Sequence, residues 1–373
     1  MAKTENRKGR EPLVHLTRRG DMRPLKAWGI RLAAVLLGLL VCGIVAFLLV
    51  EKLQQNPGRI GEFYYTFIKG SFSTQRKAWK FFKDLAVLLC IALALTPAFR
   101  MRFWNTGAEG QTLMGIWGAI AVAFYWGGKL PEGLLLVLML MAALVCGAVW
   151  GVIPALFKAK WNTNETLFTL MMNYIASYWV AYFLVIWVPS GSSNLGKLKY
   201  GRLPALGHDY LLIILVALIL TGMLHVYLNY SKHGYEINVV GESVRTARYV
   251  GIGVGKVIIR TMILSGALCG LAGYLIAAGL DQTITTASVG GQGFTAIMVC
   301  WLAKFNPLGM ILTSGLVTLL DHGAAQISQD FNVAADFPDV VVGIILFFVI
   351  GSEFFINYQL HFRGAAEKGG AVK

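Results

Sequence analysis

Three polar side chains, Asn105, Glu109 and Gln111, stand together at the start of an otherwise apolar run, with Gly107 and Gly110 between them. Two amides and a carboxylate at this spacing are suited to recognition of a polar solute, because polar groups at membrane depth face a bundle interior or a cavity. They fit a structural role equally: Asn105 as a helix cap, Glu109 at the positive end of the helix it opens. Asn173, inside a later apolar run, offers either an interhelical hydrogen bond or a ligand contact. Phe294 and Thr295 follow a glycine-rich bend, where they can stack on and hydrogen-bond a sugar or base, or simply pack.

None of these residues is a catalytic group. The run 191–197, GSSNLGK, has the spacing of a phosphate loop, but Leu198 occupies the place of the Ser or Thr magnesium ligand. H-E-x-x-H, paired-Cys and G-x-S-x-G patterns are absent, and the six histidines are scattered. The five cysteines, Cys42, Cys90, Cys146, Cys269 and Cys300, lie in or beside apolar runs and read as small apolar residues. No metal site and no cofactor is expected. Any ATP used by this system must be hydrolysed on another chain.

The elements that position these residues are membrane helices. Apolar residues make up 56% of the chain and charged ones 14%, against about 25% charged in soluble domains. At about 20 residues per crossing, 373 residues leave room for roughly eight to ten crossings. The expected fold is an all-α polytopic membrane protein of about ten helical segments, some broken or half-length, with both termini cytoplasmic. Those segments are 28–50, 85–99, 112–126, 133–156, 167–188, 210–228, 257–280, 290–303, 308–320 and 340–355. Within the seventh, Gly266 and Gly270 have the spacing that permits close helix contact. Residues 1–27 and 358–373 form basic cytoplasmic tails around a single transmembrane domain, 28–357. The net charge of +14 follows largely from basic tails and loops, as the positive-inside rule requires, and not from a nucleic-acid-binding face. One stretch conflicts with that rule: the basic loop 51–83 falls outside if the N-terminus is inside. Arg100 and Arg102 read as a basic stop at the cytoplasmic edge.

Between the sixth and seventh spans lies a polar, basic island, 235–252. Val240, Val244 and Ala247 recur at helical spacing, while Glu242, Arg245 and Arg248 fall on other faces. This predicts one short amphipathic helix on the membrane surface, bracketed by Gly241 and Gly251, with its three apolar residues packed against the bundle. By pattern alone it is either a solvated interfacial helix or a face presented to a partner.

The run 241–252, GESVRTARYVGI, resembles the cytoplasmic coupling segment of ABC importer permeases of the branched-chain amino acid and ribose type, whose string is G-x-N/S-x-x-A-A-R-Y-x-G-I. Thr246 stands where Ala is usual, and Arg248, Tyr249 and Gly251 stay in register. Residues 105–111, 164–174 (NETLFTLMMNY), 293–302 and 306–309 (NPLG) are similar to the nucleoside and simple-sugar branch. The resemblance implies a permease subunit in the plasma (inner) membrane, crossing it many times, that carries a nucleoside or simple sugar. It further implies a coupling segment 235–256 that docks an ABC ATPase subunit through Gly241, Glu242, Ser243, Arg245, Ala247, Arg248, Tyr249 and Gly251. The other partners implied are a second permease subunit or a copy of this chain, an extracytoplasmic solute-binding lipoprotein or protein, and the lipid bilayer. The alternative is an ion-coupled secondary transporter of a small polar solute, which requires ionisable residues at mid-span; Glu109 is the one marginal candidate.

Overall fold

The structure is a computed structural model and describes residues 14–18, 24–50, 56–188, 191, 194–205, 207–334 and 337–362. Strand β1 (Val14–Arg18) precedes α1 (Pro24–Leu49), α2 (Ile60–Lys69), α3 (Gln75–Arg100), α4 (Ala108–Trp126), α5 (Glu132–Trp161) and α6 (Glu165–Trp187). Then follow α7 (Leu211–Tyr230), α8 (Lys232–Glu242), α9 (Val244–Tyr249), α10 (Val254–Ile276), α11 (Gln292–Leu302), α12 (Pro307–Phe331), α13 (Phe337–Asn357) and β2 (Tyr358–Phe362). Among the described residues, eight helices are long and apolar enough to cross a membrane. The buried α4 and the short α11 complete the ten segments expected from sequence. The chain is an all-α polytopic membrane protein, with β1 and β2 paired antiparallel as its two strands among the described residues.

The described chain divides into two compact units, residues 1–70 with 320–373, and residues 71–319. In the first, α1 packs on α13, where a Cβ at Gly38 would lie 3.1 Å from the Ile345 Cα. Arg31 and Glu353 form an ion pair of 2.6 Å across the same contact.

In the second unit the organising seam is made of small residues. Along α5, Leu135, Met139, Ala143, Gly147 and Gly151 are buried, while Val137, Met141, Val145 and Val149 are exposed. A helix that is apolar on its exposed face as well as its buried one is surrounded by lipid, so burial of apolar area gives no preference between the faces. Close backbone approach does. A Cβ added at Gly147 would lie 2.3 Å from the Gly266 carbonyl oxygen, and one at Gly270 would lie 2.2 Å from that of Ala143. The close contact anticipated for Gly266 and Gly270 is therefore made with α5. Gly115 of α4 meets Gly270 as well: an added Cβ there would lie 2.6 Å from the Gly270 Cα.

Two expectations change. The stretch 51–83 is not a loop: α2 forms because Phe63 and Phe67, one turn apart, are buried at 1% and 4% exposure. Capped by Thr74, α3 starts ten residues before its apolar run. Residues 51–55 lie outside the described residues. Lys83 pairs with Asp84 (2.8 Å) and lies over the Tyr210 ring, while at the far end of α3 the Arg100 carbonyl meets Gly241. The basic start of α3 and the polar island therefore occupy opposite ends of this unit, which leaves the conflict with the positive-inside rule standing.

The island, expected as one helix, is two. Ser243 breaks the run with extended backbone (φ −156°, ψ 115°), and its hydroxyl accepts from Thr246 N (3.2 Å), opening α9 as a new helix. The break resets the helical phase. Val240 and Ala247 are buried at 4% and 0%, but Val244 is 44% exposed and does not pack upward with them.

Replacing Gly266 with Ala should drive a methyl into the Gly147 backbone, at a cost of about 1–3 kcal/mol for an overpacked contact. Gly222, in α7, has open space around it. Thermal unfolding in detergent should show a lower Tm for Gly266→Ala and little change for Gly222→Ala.

Candidate functional site

Residues 101–107, between α3 and α4, are held in place by side chains from α4, α6 and α10. Asn105 is fully buried and forms a two-way amide pair with Gln111: Nδ2 donates to Gln111 Oε1 (3.1 Å) and Oδ1 accepts from Gln111 Nε2 (3.0 Å). The same Oδ1 accepts from Gly107 N (3.1 Å), and Nδ2 reaches Ser265 Oγ of α10 (3.3 Å). Asn173 of α6 clamps the other side, accepting from Gly110 N and donating to Thr106 O, both at 2.9 Å. Thr106 is further tied to Thr166 O and to the Thr169 hydroxyl. The amides of Asn105, Gln111 and Asn173 are thus engaged within the protein, where they fix the entry of α4.

Glu109 turns away from its own helix. Its two carboxylate oxygens accept from Gly291 N and Gly293 N, each at 2.8 Å. Gly293 lies so close that an added Cβ would fall 2.4 Å from Glu109 N. These amides open α11, an 11-residue helix too short to cross a bilayer. The first N–H groups of a helix have no intrahelical partner. Here Gln292 N reaches Val289 O and Phe294 N reaches Gly291 O, so Glu109 supplies the two bonds that would otherwise be missing. A carboxylate at a helix N-terminus is also favoured by the helix dipole.

The other end of α11 is closed by a turn in which Lys304 N bonds Trp301 O and Phe305 N bonds Cys300 O. Lys304 (φ +51°) and Phe305 (φ +58°) both adopt the left-handed conformation usually left to glycine. On its inner face α11 presents Gly293, Ala296, Val299 and Cys300, and Cys300 Sγ donates to Ala92 O of α3 (3.1 Å). Phe294 and Trp301, two turns apart, are 42% and 50% exposed. Trp301 stacks on Trp104, with centroids 5.2 Å apart and planes 7° from parallel. Thr295 Oγ1 donates to Gly291 O (3.4 Å).

At the island, Gly241 and Ala247 are buried, whereas Glu242, Arg245 and Arg248 are exposed and Tyr249 is 92% exposed. Gly251 ends α9 with φ +81°; Gly251 N bonds Arg248 O (3.1 Å) and Ile252 N bonds Ala247 O (2.9 Å). This pair of bonds needs a residue at ease with positive φ. Glu236 of α8 accepts from Arg260 Nη2 (2.7 Å), and that bond holds the Glu236 carboxyl below the usual carboxylate range. The stabilisation is present above the ordinary Glu value, about 4.3, and is lost only as pH falls through the lower folded value. The pair is therefore intact at neutral pH.

Residues 79–350 match the family described as the branched-chain amino acid transport system / permease component, and the chain belongs to that family. It is 30% identical over 350 residues to a guanosine ABC transporter permease protein of Bacillus subtilis, covering 91% of this chain and 97% of that one. It is 29% identical to a glucose ABC transporter permease protein of Haloferax volcanii, over 73% of this chain and 76% of the relative. A nucleoside ABC transporter permease protein of Lactococcus lactis is 25% identical over 78% of this chain and 83% of its own length. The protein is therefore a transporter component and a multi-pass plasma-membrane protein, and the ion-coupled alternative is set aside.

Three contributors had no clear signal in the sequence: Ser265, Trp104 with Trp301, and Arg100, which read only as a basic stop. Exchanging Glu109 for Gln keeps the shape but puts a donor where an acceptor is needed. An unpaired buried N–H costs about 1–3 kcal/mol, so Glu109→Gln should lower uptake by about tenfold. Membrane insertion should persist, as checked by solute uptake normalised to permease in the membrane fraction.

Proposed function

We propose that this chain moves a nucleoside or simple sugar inward as the permease subunit of an ABC importer. ATP is hydrolysed on partner ATPase subunits, and solute arrives from an extracytoplasmic binding protein. A second permease subunit, or a copy of this chain, completes the pathway. The basic tails 1–27 and 358–373 flank one membrane domain on the cytoplasmic side. The observation that carries the proposal is the surface helix α9. It buries Ala247, holds Arg248 and Tyr249 out in solvent, and sits in a chain whose relatives are ABC permeases.

A tyrosine 92% exposed beside two exposed arginines has no packing role among the described residues. Tyr and Arg are the side chains that most often anchor protein interfaces. Glu242, Ser243, Arg245 and Gly251 shape the same surface: Ser243 starts α9, Gly251 stops it, and the charged residues flank the anchors. Closure of the ATPases on ATP would push α8 and α9 and rock the bundle, opening a cavity alternately to each side. Along that cavity, α11 presents Phe294 to stack on a ring, and Thr295 stands beside it. Asn105, Glu109, Gln111 and Asn173 frame the path by fixing α4 and α11. The relatives named for guanosine, nucleoside and glucose transport support a ring-shaped polar solute.

The assembled transporter should lose ATPase capture in an Arg248→Ala, Tyr249→Ala double variant. Each truncation should cost more than about 1 kcal/mol of docking, or about fivefold in affinity. Pull-down of the ATPase on the immobilised permease measures this. The chain purified alone should neither bind nor hydrolyse ATP, and full docking by the double variant would return α8 and α9 to solvated interfacial helices. Uptake of labelled nucleosides against labelled sugars then assigns the solute.

A further inference from the structure

We infer that Arg100 is a positioning residue that carries movement of α8 and α9 to the half-length helix α11. This rests on the docking role proposed above for α8 and α9.

Arg100 closes α3 and is half-buried, with contacts in two directions. Nε donates to Phe305 O (3.1 Å), the turn that ends α11, and Nη1 donates to Asn229 Oδ1 (3.0 Å) in the last turn of α7. Ser231 alone separates α7 from α8, and its hydroxyl caps α8 by accepting from Gly234 N (3.0 Å). The main chain of Arg100 is touched from α8 itself, since a Cβ on Gly241 would lie 2.1 Å from its carbonyl oxygen. A displacement of α8 therefore meets Arg100 twice: through the Gly241 backbone and through Asn229.

From Arg100 the chain runs the length of α11 in the opposite sense. Arg100 holds Phe305 beyond its C-terminus, Trp104 stacks on Trp301 in its last turn, and Glu109 holds Gly291 and Gly293 at its start. A cation at the carbonyl end and an anion at the amide end both complement the helix dipole. Lys304 and Phe305 are consecutive non-glycine residues at positive φ, a conformation that persists only where its surroundings hold it. Residues 100–109 and α11 thus form one cradle and its contents, joined to α8 at the cradle's Arg100 end. Two bonds in different directions from one side chain need the planar guanidinium fork, which the point charge of lysine does not reproduce.

The test uses the assembled transporter, with this full chain and its partner ATPases reconstituted in liposomes, and reads two quantities. One is ATPase bound per permease; the other is solute moved per ATP hydrolysed. For Arg100→Ala, bound ATPase should stay within about twofold while solute per ATP falls about tenfold, equivalent to one lost coupling interaction. Arg100→Lys should recover part of that ratio. Asn229→Ala removes one of the two bonds at an exposed site and should lower the ratio by a smaller factor, keeping the proposal testable if Arg100→Ala fails to accumulate. A purely structural role would reduce uptake and hydrolysis together and leave their ratio unchanged; that result in Arg100→Ala or Asn229→Ala overturns the proposal. So does loss of ATPase binding in parallel with uptake, which would place Arg100 in docking. Failure of the docking role itself is read separately, as ATPase capture that survives the Arg248→Ala, Tyr249→Ala change.

Discussion

A helix that stops inside a membrane protein leaves backbone N–H groups at its start with nothing to bond, and no lipid chain can accept them. In this permease the carboxylate of Glu109 meets that need for α11 with two bonds of 2.8 Å, to Gly291 N and Gly293 N. The arrangement answers two costs at once. The carboxylate, expensive to bury unpaired, finds donors and the positive end of a helix; the amides find acceptors. Gly293 is needed because a side chain there would strike the Glu109 backbone. Other polar contacts serve this one: Asn105, Gln111, Asn173 and Thr106 fix the start of α4 so that Glu109 arrives at the right place.

The seam between α4, α5 and α10 makes that precision possible. In lipid, burial of apolar surface gives little reason for one helix face to be chosen over another, so glycine-to-backbone contact sets the register. Gly115, Gly147, Gly266 and Gly270 bring three helices to backbone contact. Against that fixed wall, α11 and the surface pair α8 and α9 are the short pieces, ended by capping side chains and left-handed turns in place of long packed faces. Their positions rest on a few hydrogen bonds at their ends, which is why the proposed coupling path runs through them.

Much of this was legible in the sequence, for physical reasons. Runs of about 20 apolar residues located the spans, and the Gly266/Gly270 spacing marked the close helix contact. The cluster 105–111 stood out because amides and a carboxylate seldom open an apolar run without a polar partner. The partner itself was not legible: Gly291 and Gly293 are 182 and 184 residues away from Glu109, and glycine carries no side-chain signal for a backbone bond. Arg100 read as a basic stop because a charge after an apolar run usually ends in water; its hydrogen bonds to Phe305 and Asn229 come from packing. In sequence the island reads as one helix because Val240, Val244 and Ala247 share a phase. Ser243, a capping residue within that run, is the break. Stretch 51–83 looked like a loop because basic residues masked the Phe63 and Phe67 pair that makes α2.

Hydrogen–deuterium exchange of the 289–302 peptide in bilayer nanodiscs tests most directly whether Glu109 holds α11. In the unaltered chain these amides should exchange slowly; in Glu109→Gln, exchange at Gly291 and Gly293 should quicken by about tenfold or more, since loss of about 1.4 kcal/mol of protection is a tenfold change in opening, while peptides of α5 and α10 stay as they were. Equal exchange in the two proteins would contradict the account, because α11 would then be held without its carboxylate.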